Sequence, residues 1–228
     1  KKENDNNKLG WSFKNHIEFD DDDKKKGIDF LSKFDLNEKS KWICIHSRDE
    51  LYKNEMKEYN LDKQHTHRNF NINDMRNAIQ IFIDKGFHVF RVGSFQSSKI
   101  DFKNKNFYDS SKHEDDNGLI QFFLSKHCSA YFGSSSGSTD PYIAFKKPIS
   151  YINFVPLNLN LLNFFKTLPS IPKKIKSEKT GRYLTLRNLY DQNLIGCSNY
   201  KVLLEKGICL ENNSVEDIED LAYEIIDC

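Results

Sequence analysis

The feature that most constrains the fold is an alternation of apolar and amphipathic segments between residues 41 and 154. Four apolar runs have the length and the β-branched and aromatic content of buried strands: KWICIH, FHVFRVG, SAYFG and PISYINF. Segments with helical periodicity lie between them. Because strands that alternate with helices usually form a parallel sheet covered by those helices, we predict an α/β fold.

The amphipathic segments predict where the helices lie. NDMRNAIQIFIDKG carries a buried stripe at helical spacing: Met75, Ala78, Ile79, Phe82 and Ile83. Asn73 is placed to cap its start, and Gly86 its end. In DDDDKKKGIDFLSKF the inward face would hold Ile28, Leu31 and Phe34, and in NGLIQFFLSKHC it would hold Leu119, Ile120, Phe123 and Leu124.

The remaining segments complete the prediction. PYIAFKK and GRYLTLRNLYD predict short helices, and KGICLEN predicts a short strand. SVEDIEDLAYEIID predicts a closing helix capped by Ser214, with Asp217 as the acid of a capping box. Residues 95–116 are predicted to form a polar loop. We expect residues 1–18 to form a polar arm or the end of a preceding segment and residues 19–228 to form the domain. The chain could be a fragment, a truncated enzyme or a binding module that acts with a partner.

Composition excludes several classes of function. The 228 residues include 34 Lys and Arg against 33 Asp and Glu, so the net charge is +1. A balanced charge lacks the footprint of a general nucleic-acid binder, and 13% aromatic residues argue against disorder. No apolar run reaches the roughly 18 residues that a membrane helix needs. Five scattered cysteines without zinc spacing favour free thiols and therefore a location in the cytoplasm. Peripheral contact with the inner face of the membrane is a further expectation.

Polar residues follow three of the four predicted strands. Ligands of open α/β sheets bind beyond the carboxyl ends of the strands, so these residues are the candidates for a binding site. They are His46, Arg48 and Asp49 after the first strand, Arg91, Gly93 and Ser94 after the second, and Ser134, Ser135, Ser136, Gly137 and Asp140 after the third.

The Ser/Gly turn is the main candidate for an anion-binding loop. Small residues let backbone N–H groups approach an anion, hydroxyls add donors, and the helix that follows adds its positive end. Neither the GxxxxGK[ST] nor the GxGxxG pattern is present. A flexible turn without a ligand is the alternative.

The charged candidates also allow structural roles. An arginine fork suits phosphate oxygens, but Arg48 and Arg91 could each belong to a structural ion pair. Arg91 ends an apolar strand, where its charge needs a partner. His46 could be a satisfied buried histidine or a donor to a phosphate or ribose oxygen.

Two further polar clusters were considered. His65, His67 and His46 could form a zinc site, but no Cys or carboxylate stands at a supporting spacing, so no metal site is predicted. Lys173, Lys174 and Arg182 favour a solvated basic face, and capture of a pyrophosphate or an acidic lipid is the alternative.

Taken together, these segments resemble a family of bacterial glycosyltransferases found with surface-polysaccharide genes. The matching pieces run in order over about residues 41–220: KWICIHSRDE, HTHRNFNINDMRNAI, KGFHVFRVGS, SAYFGSSSG, PYIAFKKPISYINFVPL, IPKKIK, GRYLTL and ENNSVEDI. More distantly, the His-x-Arg, Arg-x-Gly and Ser-Ser-Gly elements are similar to those of fucosyltransferase-type enzymes with a GT-B fold.

The resemblance implies a Rossmann-like domain that is the nucleotide-sugar-binding half of a GT-B enzyme. It implies that His46, Arg48 and Arg91 lie beside the diphosphate of the donor. It also implies that the segment from Ser134 to Gly137 cradles phosphate or ribose. Arg68 falls in a family segment of less clear role. The implied partners are a nucleotide-sugar donor, a glycan or lipid-linked acceptor and a second Rossmann-like domain or subunit, without metal or cofactor.

The residues leave three functions open. The first is a sugar transferase or its donor-binding domain, for which Asp49 and Asp140 are candidate general bases. The second is a sugar-nucleotide epimerase on the same scaffold. The third is a non-catalytic nucleotide-binding module, which the small size of the chain favours.

Overall fold

A computed structural model describes residues 17–49, 63–93, 98–109, 118–157 and 168–227, without the side chains of residues 63–65. Its centre is a five-stranded sheet in which every neighbouring pair is parallel. The strand order is β3-β2-β1-β4-β5. The strands are β1 (Trp42–His46), β2 (His88–Arg91), β3 (Phe107–Asp109), β4 (Ala130–Gly133) and β5 (Ile149–Tyr151).

Helices cover both faces of this sheet. The helices are α1 (Asp21–Ser32), α2 (Arg76–Asp84), α3 (Leu119–His127), α4 (Asp140–Ala144), α5 (Leu186–Asp191), α6 (Tyr200–Glu205) and α7 (Val215–Ile226). Alternate residues of β1 point to opposite faces: Trp42 and Cys44 pack with α1 and α3, whereas Ile43 and Ile45 pack with α2 and α7. The structure therefore confirms the predicted Rossmann-like α/β fold with helices on both faces.

Local sequence signals predicted the start of α7 and the buried face of α2, but not the start of α2. Ser214 accepts a hydrogen bond from the backbone N–H of Asp217, whose carboxylate accepts from the N–H of Ser214, so the predicted capping box is confirmed. The predicted stripe of α2 is buried. The prediction that Asn73 caps this helix is wrong, because Asn71 caps a preceding 3-10 turn, Ile72–Met75.

The inward face of α1 differs from the prediction. Ile28 is 39% exposed, whereas Gly27, Phe30 and Leu31 are buried. A β-carbon at Gly27 would overlap the buried ring of Phe123 on α3. The glycine therefore sets the close approach of the two helices and rotates Ile28 outward.

Two strands escaped prediction. β3 lies inside the segment predicted as a polar loop, and β6 (Lys174–Ser177) coincides with the basic KKIK stretch. β6 pairs antiparallel with β7 (Ile208–Glu211), which the sequence did predict. Short, half-buried strands such as these carry little apolar periodicity.

Three smaller outcomes concern the ends and the cysteines. Residues 1–16 of the predicted arm lie outside the described residues, and its last two contact Lys126, which donates to the backbone of Ile17 and to the Glu18 carboxylate. Four of the five cysteines are described, and all four carry free thiols. Among the described helices, none combines the length and apolar character required to cross a bilayer.

Candidate functional site

A cleft of about 580 Å³ opens at the carboxyl ends of β1, β2 and β4. The strand order reverses between β1 and β4, which is the position where open α/β sheets bind ligands. The loop after β1 and the turn after β4 form its polar wall. Residues from α3 and α4 form the facing wall.

Seven of the predicted residues line this cleft together: His46, Arg48, Asp49, Gly93, Ser136, Gly137 and Asp140. Ser134 and Ser135 lie directly behind the turn. The Ser134 hydroxyl accepts a hydrogen bond from the backbone N–H of Arg48 at 3.0 Å, so it joins the two loops. Ser94 lies outside the described residues.

Gly133 allows the two loops to meet. A β-carbon at this position would overlap the backbone carbonyl of His46 on the neighbouring strand. Gly137, in contrast, has open space around its α-carbon and a φ outside the left-handed region. Within the described residues, no neighbour lies close enough to require a glycine at position 137, and a residue without a side chain leaves the backbone accessible.

The Ser/Gly turn is held by its own hydroxyls. The hydroxyls of Ser136 and Ser138 lie 2.6 Å apart, and the Thr139 hydroxyl donates to the Ser136 carbonyl oxygen at 2.7 Å. These contacts connect Ser136 with both Ser138 and Thr139 within the turn. The helix that follows, α4, has five residues and an acidic Asp140 in its first turn. The expected contribution of a positive helix end is therefore small.

Arg48 lines the cleft, and the nearby Arg68, which does not line it, contacts the turn through Ser135. Both side chains are half-buried, and neither forms an ion pair with a carboxylate among the residues that the structure describes. Burial and the nearby Arg68 guanidinium lower the pKa of Arg48 to about 10, and burial lowers the pKa of Arg68. Arg68 donates to the carbonyl oxygen of Ser135, so its side chain rests against the turn. Two neighbouring cations without a carboxylate form a site that a bound anion would stabilise.

Arg91 has different surroundings. Its side chain is 1% exposed, does not line the cleft, and donates to the Asp109 carboxylate on β3 at 3.3 Å. Burial lowers the pKa of Arg91, while Asp109 and Asp49 act against this shift. The structure thus shows the ion pair that the structural alternative for this arginine requires, and the predicted contact of Arg91 with the diphosphate stays a prediction.

His46 is a buried neutral histidine. Its Nδ1 donates to the Val92 carbonyl oxygen at 3.0 Å, since a carbonyl can only accept. Burial lowers the pKa of His46 to about 4, against 6.5 for an unperturbed histidine. With the proton on Nδ1, Nε2 of the neutral ring is an acceptor, so donation from Nε2 to a phosphate would require the disfavoured protonated ring.

The two candidate bases both lie on the cleft wall. Asp49 accepts a hydrogen bond from the backbone N–H of Ser98 at 3.3 Å. Asp140 begins α4 beside the Ser/Gly turn. The geometry does not distinguish them.

Several residues of the cleft were not predicted. Ser138 belongs to the predicted turn and could have been included with it. Gln121, whose side-chain oxygen accepts from the Gly93 N–H at 2.9 Å, and Phe122 lie on α3. Both fall outside the apolar stripe of that helix, so periodicity marks them only as surface positions.

The two further clusters have structural partners. His67 stacks on Tyr200 with ring centroids 4.8 Å apart, and no group of metal-ligating residues occurs within the described ranges. Lys173 is 5% exposed and donates to the Asn69 carbonyl oxygen and the Asn212 side chain. The prediction of a solvated face is therefore wrong for Lys173, because the segment forms the edge of a small sheet packed on the main one.

Comparisons with known proteins give one structural likeness. No protein-family model and no curated protein matches the chain. A solved glycosyl transferase family 9 protein from Veillonella parvula DSM 2008 is similar over 92% of this chain, with 12% identity and a TM-score of 0.47. The chain spans 54% of the length of that protein. The fold assignment above rests on the strand order and pairing of this chain itself.

Proposed function

We propose that this chain is the donor-binding part of a glycosyltransferase, and that its cleft binds the diphosphate of a nucleotide sugar. The observation that carries the proposal is the pair of half-buried guanidiniums, Arg48 and Arg68, beside the hydroxyl-rich turn. The motifs KWICIHSRDE and SAYFGSSSG, on which the sequence resemblance depends, supply most of the polar wall of this cleft.

The charge on the site fits this reaction. Transfer of the sugar leaves negative charge on the departing nucleoside diphosphate, and fixed positive groups that meet this charge lower the barrier. Arg48 keeps its proton at neutral pH, because its pKa of about 10 is well above 7. Guanidiniums can supply this stabilisation without a metal ion, so we expect donor binding to persist in the presence of a chelator.

The sugar and its acceptor would lie toward the remaining polar residues. His46 lines the cleft at the end of β1, so we expect the ribose or the transferred sugar to lie near its ring. Asp49 or Asp140 would remove the proton from the acceptor hydroxyl as that oxygen attacks the anomeric carbon. We expect the acceptor to be a glycan or a lipid-linked sugar, bound with the help of a second domain or subunit.

Isothermal titration with a panel of nucleoside diphosphates tests the proposal. At least one should bind, and Arg48→Gln should weaken its binding about ten- to hundredfold, the range for loss of hydrogen bonds to a charged group. The matched control is Arg187→Gln, because Arg187 is an exposed arginine paired with Asp191 on α5. Absence of binding to every nucleotide at millimolar concentration would reject the proposal.

Turnover separates transfer from the other functions. Acceptor-dependent release of nucleoside diphosphate, lost in Asp49→Asn or in Asp140→Asn, would identify the base. Interconversion of the sugar without an acceptor would identify an epimerase instead. Nucleotide binding without turnover, even in the presence of the proposed second domain or subunit, would identify a non-catalytic module.

A further inference from the structure

The facing wall of the cleft carries an exposed aromatic ring. Phe122 is 47% exposed and is the only large hydrophobic residue with such exposure that lines this cleft in the described part of the chain. Its neighbours on α3 point inward: Phe123 and Leu124 are fully buried. The ring of Phe122 therefore contributes little to the core and faces the space where a ligand would lie.

The surroundings of Phe122 give the cleft two chemically different walls. Pro141 and Tyr142 of α4 line the cleft together with Phe122, and Val92 adds a further apolar residue. Arg48, Ser136 and Ser138 line the same cleft and supply its polar part. An inorganic anion would use only the polar wall. A ligand with an anionic group joined to a flat ring would use both.

A hydrogen bond to Gln121 anchors the helix that carries the ring. Gln121 accepts from the N–H of Gly93, which fixes α3 against the loop after β2. The ring of Phe122 is thus presented from a helix that is anchored on its cleft side.

We infer that Phe122 stacks on the base of the bound nucleotide and separates nucleoside diphosphates from simple pyrophosphate. The inference rests on the proposed function, because it assigns a second subsite to the same cleft. Every nucleobase has a flat face, and stacking on an aromatic side chain is tolerant of base identity. Phe122 would therefore add affinity for the nucleoside without selecting one base.

The test compares three ligands with three proteins. Inorganic pyrophosphate, a nucleoside diphosphate and the corresponding nucleotide sugar are each titrated into the unchanged chain and into the Phe122→Ala and Phe122→Trp variants. The affinity of each protein for each ligand is measured. Phe122→Ala should weaken the binding of the nucleoside diphosphate and of the nucleotide sugar by about tenfold, as expected when one base loses its stacking partner. Pyrophosphate binding should stay unchanged, and Phe122→Trp should retain binding of all three ligands.

The outcomes separate this inference from the proposed function. Equal nucleoside diphosphate binding by Phe122→Ala and the unchanged chain would overturn the stacking role. Loss confined to the nucleotide sugar would also overturn it, because the ring would then contact the sugar. Failure of all three ligands to bind the unchanged chain would instead reject the proposed function. Arg48→Gln should weaken the binding of all three ligands, and this result would show that they share one anion site.

Discussion

At the scale of single residues, three arginines near the cleft have separate roles. Arg91 is buried against Asp109, so its charge is already compensated within the protein. Arg48 and Arg68 are half-buried beside one another, and within the described ranges no carboxylate compensates them. An anion-binding site needs cations that no carboxylate compensates, because an existing ion pair would have to be broken before an anion could bind.

Replacement of Arg91 should therefore affect stability. Arg91→Met leaves the Asp109 carboxylate, itself 18% exposed, without its cation, and we expect a loss of about 3 kcal/mol in the free energy of unfolding. Urea denaturation measures this loss. The double variant Arg91→Met with Asp109→Leu should recover part of it, since both charges are then absent. Unchanged stability in Arg91→Met, together with loss of nucleotide binding, would show that Arg91 contacts the ligand.

The sequence pointed to Arg91 as a candidate but could not assign its partner. The end of an apolar strand shows that an arginine there needs compensation. Asp109 supplies it from β3, a strand of three half-buried residues within a polar segment. Pairing between strands that are distant in sequence leaves no local signal in either one.

His46 should make stability dependent on pH. Its pKa is about 4 in the folded protein and 6.5 when unperturbed, so the unfolded chain takes up the proton first as pH falls. Stability from this group is complete above pH 6.5 and decreases toward pH 4. Urea denaturation at about pH 7.5 and about pH 5 measures this effect. Over this range the free energy of unfolding of the unchanged chain should decrease by about 2 kcal/mol more than that of His46→Asn. Parallel pH profiles for the two proteins would contradict the burial of a neutral ring.

At the scale of elements, the cleft depends on how closely β1 and β4 approach at their carboxyl ends. Gly133 pairs with His46 across the sheet, and its missing side chain leaves room for the His46 carbonyl. The loop after β1 and the Ser/Gly turn then meet through the Ser134 hydroxyl. A single glycine thus brings the cationic loop to the hydroxyl-rich turn.

Gly133→Ala and Gly137→Ala should behave differently. An added methyl group at position 133 meets backbone that cannot move aside, and we expect a loss of about 1–3 kcal/mol in the free energy of unfolding. Gly137→Ala adds a methyl group in open space, so the change should stay within about 0.5 kcal/mol. Thermal or urea denaturation of both variants is the measurement. Equal stability of the two variants would contradict the close approach at Gly133.

Prediction of the elements succeeded where a signal is local. The capping box of α7 and the apolar stripe of α2 are fixed by residues within one or two turns of each other. The outward rotation of Ile28 could not be foreseen, because it follows from the contact of Gly27 with Phe123, a residue distant in sequence. β6 was missed because all four of its residues, two of them lysines, are half-buried and show no alternation of buried and exposed positions.

At the scale of the whole molecule, reciprocal hydrogen bonds join the main sheet to the small sheet of β6 and β7. The backbone N–H of Asn153, just after β5, donates to the Asn213 side chain at 2.7 Å. The backbone N–H of Asn213, just before α7, donates to the Asn153 side chain at the same distance. Lys173 adds a link from the small sheet to the segment that follows Arg68.

Removal of this connection should destabilise the chain as a unit. Asn213→Ala leaves the buried N–H of Asn153 without its acceptor and also removes a donor to the Pro172 carbonyl oxygen. We expect a loss of about 2–4 kcal/mol in the free energy of unfolding, measured by urea denaturation. Asn77→Ala is the control, because Asn77 is exposed and contacts only the surface residue Glu219 through its side chain in the described structure. A loss no larger than that of the control would show that the two sheets do not depend on this connection.

The overall arrangement of the site was predictable in part. The alternation of strands and helices fixes which loops share an edge of the sheet, and this placed seven of the predicted residues in one cleft. The apolar wall formed by Phe122 and α4 was not predictable. An exposed ring on a helix reads as an ordinary surface position until the fold brings it to face a polar loop.

The central claim is that Arg48 and Arg68 hold the diphosphate of a nucleotide beside the Ser/Gly turn. A crystal structure of the chain with a bound nucleoside diphosphate tests it most directly. We predict phosphate oxygens within hydrogen-bond distance of both guanidiniums and of the turn from Ser136 to Ser138. A nucleotide bound elsewhere on the molecule, with these side chains free of phosphate contact, would contradict the claim.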